Sequence, residues 1–269
     1  MPIANINGVD INYEVAGQGE AVVLIHGYTG SNQDWKNQIP LLLPKYKVMA
    51  PDQRGHGKSA APATPEEYSM EIFVDDVVSL LNMLDIKKCC LIGHSLGGFI
   101  ALAFALEHPE MLRALVLVDT SSGQLARDPD HADMWRKLYE LARSQGMEAA
   151  FEYESANNPM RIEKYQKHPE LREVTRQKML MTSVDGYVYT SRAMGKRQAV
   201  TPRLAEIKVP TLIFWGDEDA IMADAALTIK DGIADSEMIT VKGTGHSPHE
   251  EAPDVFNEAL LKFMGRIKW

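Results

Sequence analysis

The sequence predicts an α/β protein: a mostly parallel central sheet with helices on both faces and a helical cap inserted after the sixth strand. Two observations carry the class. Apolar runs of strand length alternate along the chain with amphipathic segments of helical period. Several of those runs are apolar throughout, as strands covered on both faces are. A third observation places the cap: between about Thr120 and Thr201 the strand rhythm stops, and only helical, polar segments follow one another.

Each element follows from its local pattern. Asn7-Gly8, between short alternating runs, reads as a tight turn, so an antiparallel hairpin ending in Ile11–Val15 precedes the parallel core. Ala21–Ile25 and Lys47–Ala50 are the next strands. Met70–Leu84 repeats its apolar residues at helical spacing, Cys89–Ile92 is a wholly apolar strand, and Leu96–His108 is again helical. Ala114–Val118 is the sixth strand. The insertion reads as helices Met134–Arg143, Met147–Glu154, Leu171–Met181 and Tyr187–Arg197, and it holds six of the 14 methionines. Val209-Pro210 restarts the rhythm with strand Thr211–Trp215, helix Ala223–Ile233, strand Met238–Val241 and helix Pro253–Met264. A helical insertion between two strands of one sheet is a cap, not an independent domain. The expectation is one domain, 1–269, with a cap over about 120–201 between core parts 1–119 and 202–269.

Composition narrows the function. Of 269 residues, 28 are Lys or Arg and 37 Asp or Glu, for a formal charge of −9. That balance argues against nucleic-acid partners, which need basic surface to replace counterions, and against an anionic membrane. The two cysteines, Cys89 and Cys90, are sequence neighbours in an apolar run, where a mutual bridge would be badly strained. Met1-Pro2-Ile3-Ala4-Asn5 shows neither the basic nor the apolar part of a signal peptide, and the longest apolar stretch, Leu96 to Leu106, is too short to span a membrane. A cytoplasmic, reduced protein is the expectation.

Chemistry concentrates at Gly93-His94-Ser95-Leu96-Gly97, between a strand and a helix. A strand turning straight into a helix strains its middle residue and lifts the Ser95 hydroxyl above the carboxyl edge of the sheet, at a helix N-terminus. Serine at neutral pH needs a base, and the base an orienting acid. Of the eight histidines, His246 follows the last strand in Gly243-Thr244-Gly245-His246 and so shares an edge with Ser95; His249, three residues on, is its rival. For the acid, Gly216-Asp217-Glu218-Asp219 follows a strand, and Asp119 ends an earlier one. Spacing alone leaves Asp217, Asp219 and Asp119 open.

These motifs resemble the α/β-hydrolase superfamily, over nearly the whole chain outside the cap. The order Ser95, Asp219, His246 is that of the superfamily. His26-Gly27-Tyr28 resembles its oxyanion loop, and Pro51-Asp52-Gln53-Arg54-Gly55-His56-Gly57-Lys58-Ser59 resembles a stretch of the serine esterase, enol-lactonase and cofactor-free haloperoxidase branch. The resemblance implies Asp219, last of a Gly-x-x-Asp loop, as the acid. It implies His246, ahead of Glu250, Glu251 and Pro253, as the base. It implies the backbone N–H groups of Tyr28 and Leu96 as the oxyanion hole. The side chains of Tyr28, Trp35, Met134, Met160 and Met181 are candidate substrate contacts, methionine because it is flexible and polarisable. Asp52, Arg54 and His56 read as structural.

Departures matter too. Dehalogenases and epoxide hydrolases of this fold carry Asp at the nucleophile position, where this chain has Ser95. Enzymes that cleave carbon–carbon bonds in aromatic ring-fission products usually carry extra glycines after His-Gly, which Tyr28-Thr29-Gly30-Ser31 lacks. No metal-ligand spacing and no phosphate-binding glycine loop occurs, so neither metal nor cofactor is expected. The resemblance thus implies a hydrolase of small to medium apolar esters or lactones that works through an acyl-enzyme. Its alternatives are a perhydrolase of the haloperoxidase type using the same triad, and a slow-turnover ligand receptor. The partner expected is a small molecule; the sequence carries no signal of oligomeric state.

Overall fold

Asn7 and Gly8 both take positive φ, 51° and 82°, and fold strand β1 (Ile3–Ile6) back on β2 (Val9–Ala16), with Ile6 opposite Val9. This is the hairpin that an Asn-Gly step favours. The computed structural model describes residues 2–124 and 129–269, and the side chains of residues 129–131 and of Met160 lie outside that description.

Six more strands follow: β3 (Ala21–Ile25), β4 (Lys47–Pro51), β5 (Cys89–His94), β6 (Leu112–Val118), β7 (Thr211–Gly216) and β8 (Ser236–Val241). The eight form one sheet in the order β1-β2-β4-β3-β5-β6-β7-β8. β2 pairs antiparallel with β1 and β4, and every other pairing is parallel. All the strands expected from sequence are present.

The helices are α1 (Ile39–Leu42), α2 (Met70–Met83), α3 (Leu96–Glu107), α4 (Pro129–Gln145), α5 (Met147–Asn157), α6 (Pro159–Lys167), α7 (Leu171–Leu180), α8 (Val184–Lys196), α9 (Ala223–Gly232), α10 (Pro248–Glu251) and α11 (Pro253–Met264). Alternation along the strands feeds two apolar layers. Val22 and Leu24 of β3 meet Leu42 of α1 and Phe256, Leu260 and Met264 of α11 on one face. Val23 and Ile25 meet Phe73 of α2, Ile100 of α3 and Ile229 of α9 on the other. Cys89 and Cys90 are buried, free and divided between these layers; burial pushes the Cys89 thiol up to about 12.

Helices α4 to α8 all fall between β6 and β7. Four match the expected helices. The fifth, α6, has the sequence PMRIEKYQK, in which the apolar residues are too few to show a helical stripe. No described helix is long and apolar enough to cross a membrane.

Candidate active site

Loops at the carboxyl ends of β3, β5, β7 and β8 converge on Ser95. β5 ends at His94 and α3 begins at Leu96, so the chain turns within one residue, and Ser95 takes a φ of 51°. This left-handed conformation is uncommon for any residue with a Cβ. The flanking glycines leave room for it. A Cβ on Gly93 would lie 2.2 Å from the Gly97 carbonyl oxygen, and one on Gly97 would lie 2.2 Å from that of Ile25. The strained turn is pinned on both sides: the Ser95 N–H donates to Val118 O at 2.9 Å, and the Thr120 hydroxyl donates to Ser95 O at 2.8 Å.

His246 lies between β8 and α10. Its Nε2 accepts from the Ser95 hydroxyl at 2.9 Å, and its Nδ1–H donates to the Asp219 carboxylate. These partners define the tautomer. Asp219 is only 3 % exposed, in a turn closed by its own N–H to Gly216 O at 2.9 Å and braced by the Trp215 indole N–H on Asp219 O at 2.9 Å. The result is a continuous hydrogen-bonded path from carboxylate to imidazole to hydroxyl. In chemical terms it can draw the proton from Ser95 as its oxygen attacks.

The rival acids and base have other partners. Asp217 accepts from the Gly243 N–H at 2.7 Å. Asp119 is buried and accepts from the Gly216 N–H at 3.2 Å. Burial, reinforced by the Asp219 charge, holds the Asp119 carboxyl well above the usual carboxylate range. Donor atoms of Asp119, Asp219 and His246 lie within 4.8 Å of one another, the one such grouping among the described residues that has the makings of a cation site. Two of its three members are already joined by the His246–Asp219 hydrogen bond. His249 is fully buried, its ring centroid 4.5 Å from that of Trp35 and 4.6 Å from that of His94, so it does not reach Ser95 as a base.

Tyr28 sits in the turn after β3 that Gly30 N–H closes on Gly27 O at 3.0 Å. Among the described residues, neither the Tyr28 N–H nor the Leu96 N–H donates to a backbone carbonyl; Leu96, first in its helix, has no intrahelical acceptor to use. The Tyr28 phenol donates to Tyr187 O at 2.7 Å and stacks on the Tyr187 ring at 5.4 Å, with Trp135 at 6.2 Å.

Not every expected contact residue is placed to touch a ligand. Trp35 is 0 % exposed and belongs to the apolar layer with Leu24, Ile39 and Leu42, so it corrects to a core residue with no surface to offer. Met134 packs, half-buried, against the layer that also receives Tyr28 and Trp135. Met181 caps the end of α7 and is exposed. The side chain of Met160 lies outside the described residues. Asp52 accepts from Asn12, Asn32 and Lys58, and Arg54 grips Asp76 with two 2.7 Å bonds, which are structural roles.

Sequence reasoning missed the bracing. His94 donates from Nε2 to His246 O at 2.7 Å, and Glu251 accepts from the Gly245 N–H at 2.6 Å, so both sides of His246 are held through the main chain. The only available signal was their position inside the two motifs.

An α/β-hydrolase fold family model matches residues 20–253. The chain belongs to the α/β-hydrolase family. Among curated α/β-hydrolase relatives, a Bacillus subtilis protein provisionally named a 2-succinyl-6-hydroxy-2,4-cyclohexadiene-1-carboxylate synthase is 30% identical, over 99% of this chain and 100% of its own. An Escherichia coli 2-hydroxy-6-oxononadienedioate/2-hydroxy-6-oxononatrienedioate hydrolase is 31% identical, over 95% and 91%. Among solved structures, an esterase from Thermogutta terrifontis superposes with a TM-score of 0.87 at 27% identity, covering 99% of both chains.

Proposed function

We propose that this α/β-hydrolase is a serine carboxylic-ester hydrolase acting on small to medium, largely apolar esters or lactones. The observation that carries the reading is the hydrogen-bonded path Asp219–His246–Ser95, with the hydroxyl at a strained strand-to-helix turn. Ser95 Oγ attacks the carbonyl carbon while His246 Nε2 takes its proton. The tetrahedral oxyanion is held by the N–H groups of Leu96 and Tyr28, aided by the positive end of the twelve-residue helix α3. His246 then returns the proton to the leaving alcohol, the acyl group stays on Ser95, and a water activated by the same imidazole releases it. Asp219 keeps the imidazole in the reactive tautomer and stabilises it when protonated. Helices α4 to α8 act as the cap: α8 reaches Tyr28 through the Tyr187 carbonyl, and Trp135 of α4 adds its ring. The similarity to the Thermogutta esterase supports the same reading.

A second reading draws on the Escherichia coli relative: a 2-hydroxy-6-oxo dienedioate as substrate, cleaved with the same three residues. Turnover of such a compound, set beside p-nitrophenyl esters and lactones, separates the two. A peroxide-dependent halogenation assay separates perhydrolase chemistry from plain hydrolysis. The decisive experiment on the nucleophile is labelling by a fluorophosphonate. Wild type should be labelled on Ser95, and Ser95→Ala should lose both label and esterase activity while keeping its melting temperature. Label on another residue, or activity retained in Ser95→Ala, would sink the serine-nucleophile reading.

A further inference from the structure

We propose that Lys178 is a positioning residue, a strut from α7 that joins the turn presenting the Tyr28 N–H to the segment that carries His246. The inference rests on the triad reading above. Lys178 Nζ lies 3.1 Å from Asp34 Oδ1 and 2.7 and 2.6 Å from the two carboxylate oxygens of Glu250. The three side chains are 23, 4 and 16 % exposed. Ion pairs in water contribute little, but removing the cation from a buried group strands its carboxylates without a partner.

Each anchor is mechanically close to a reactive loop. Asp34 belongs to a Ser31–Asp34 capping box on a short 3-10 helix, where its carboxylate accepts from the Ser31 N–H at 3.4 Å. Its other oxygen would lie 2.2 Å from a Cβ on Gly30, so the carboxylate packs directly against one end of the Gly27–Gly30 turn, where only a glycine fits. Glu250 is on α10, and its N–H returns to Ser247 O at 2.9 Å, one residue beyond His246. Displacing Lys178 therefore loosens the oxyanion turn and the base together.

Two other lysines show the same design in weaker form. Lys164 of α6 reaches Glu251 at 3.1 Å, and that carboxylate also holds the Gly245 N–H. Lys167 reaches Glu218, the neighbour of Asp219, at 3.2 Å, but with side chains 46 and 37 % exposed. Helices α6 and α7 thus send a lysine to each of the loops that carry Tyr28, Asp219 and His246, and Lys178 alone among these three spans two loops. Burial pushes the Asp34 carboxyl up to about 7 against the opposing pull of Lys178, so the strut is fully ionised only above that value. The Lys178 charge also faces His26, His94 and His249, whose pKa values burial lowers.

The test measures the rate of Ser95 labelling by a fluorophosphonate, together with p-nitrophenyl acetate kinetics, at about pH 8, where Asp34 is ionised. Lys178→Met should label on the order of ten- to a hundredfold more slowly, with kcat falling and KM within about twofold, since misplacement of reacting groups costs rate more than affinity. Lys178→Arg, which restores the cation, should recover most of the rate. A merely structural lysine would lower the melting temperature without slowing the labelling of the folded fraction, and that result overturns the inference. Should Lys178→Met fail to fold, Glu250→Gln keeps the shape and weakens one anchor; an unchanged labelling rate there overturns the inference as well. A wild type that takes no label overturns the hydrolase reading and this one with it, whereas a labelled wild type with an equally fast Lys178→Met overturns this one alone.

Discussion

Asp219 and Asp217 sit two residues apart in one turn, yet the first holds the His246 ring and the second holds the Gly243 N–H. Asp219→Asn should lower kcat by about 10³–10⁴, because an amide can select the wrong imidazole tautomer, while Asp217→Asn should stay within about twofold in the same ester assay. Asp119 makes a separate prediction. Its folded pKa is raised above the unfolded value of about 3.9. At a higher pH the unfolded chain gives up this proton more readily than the fold does, so stability drains away as pH rises from the unfolded pKa toward the folded one. Asp119→Asn removes that loss and keeps an acceptor for the Gly216 N–H. Thermal melts should find the variant more stable than wild type at neutral pH and equal to it well below the unfolded pKa, with activity retained; a lower melting temperature at neutral pH would refute the account. At this scale the sequence was only partly legible. Ser95 announces itself through glycines on either side, but three aspartates end strands at one sheet edge, and only the family resemblance chose among them. Asp34 and Lys178 were illegible, because their pairing joins distant parts of the chain with no local pattern to mark it.

Secondary elements were the most legible part, since a strand buried on both faces must be an apolar run and a helix on a sheet must repeat its apolar side. The strand-turn-helix around Ser95 couples that pattern to function. α3 lies so close to β3 that a Cβ on Gly97 would meet the Ile25 carbonyl oxygen at 2.2 Å, backbone against backbone. No rotamer change relieves that contact. Gly97→Ala should therefore destabilise by about 1–3 kcal/mol or more and cut activity beyond the loss of folded protein, because α3 must shift and carry the Leu96 N–H with it. Gly123→Ala, with its nearest neighbour at 3.6 Å, is the control that should melt like wild type. Equal melting temperatures for both variants would contradict the close-approach argument. α6 escaped notice for the converse reason: its apolar residues are few, and it is held by ion pairs of Lys164 and Lys167 to the core loops, which no hydropathy period reveals.

For the molecule as a whole, the question is how the inserted helices meet the sheet edge that carries Ser95. Their methionines suggested a pliable wall, but Met147 and Met179 are buried in the core layer and Met181 is exposed at the end of α7. The insertion instead approaches the Tyr28 turn with rings: Tyr187 stacks on Tyr28 at 5.4 Å, and Trp135 lies 6.2 Å from Tyr28 and 5.9 Å from Tyr139. Aromatic walls are stiff and present fixed area, so they discriminate by shape more sharply than methionine does. Tyr187 is almost wholly buried and would cost stability if truncated, whereas Trp135 and Met134 are half-buried beside it and retain surface for an acyl chain. Trp135→Ala and Met134→Ala should therefore shift kcat/KM among p-nitrophenyl esters toward longer chains, by about tenfold for the tryptophan, since one methylene in an apolar pocket is worth about 1–3 kcal/mol. Met181→Ala should leave the ester profile unchanged. Labelling of Ser95 by a small fluorophosphonate should change little in all three, because so small a reagent does not extend to Trp135, Met134 or Met181. An ester profile that moves with Met181 and not with Trp135 would place the selective surface at the far end of α7, away from the ring cluster on Tyr28.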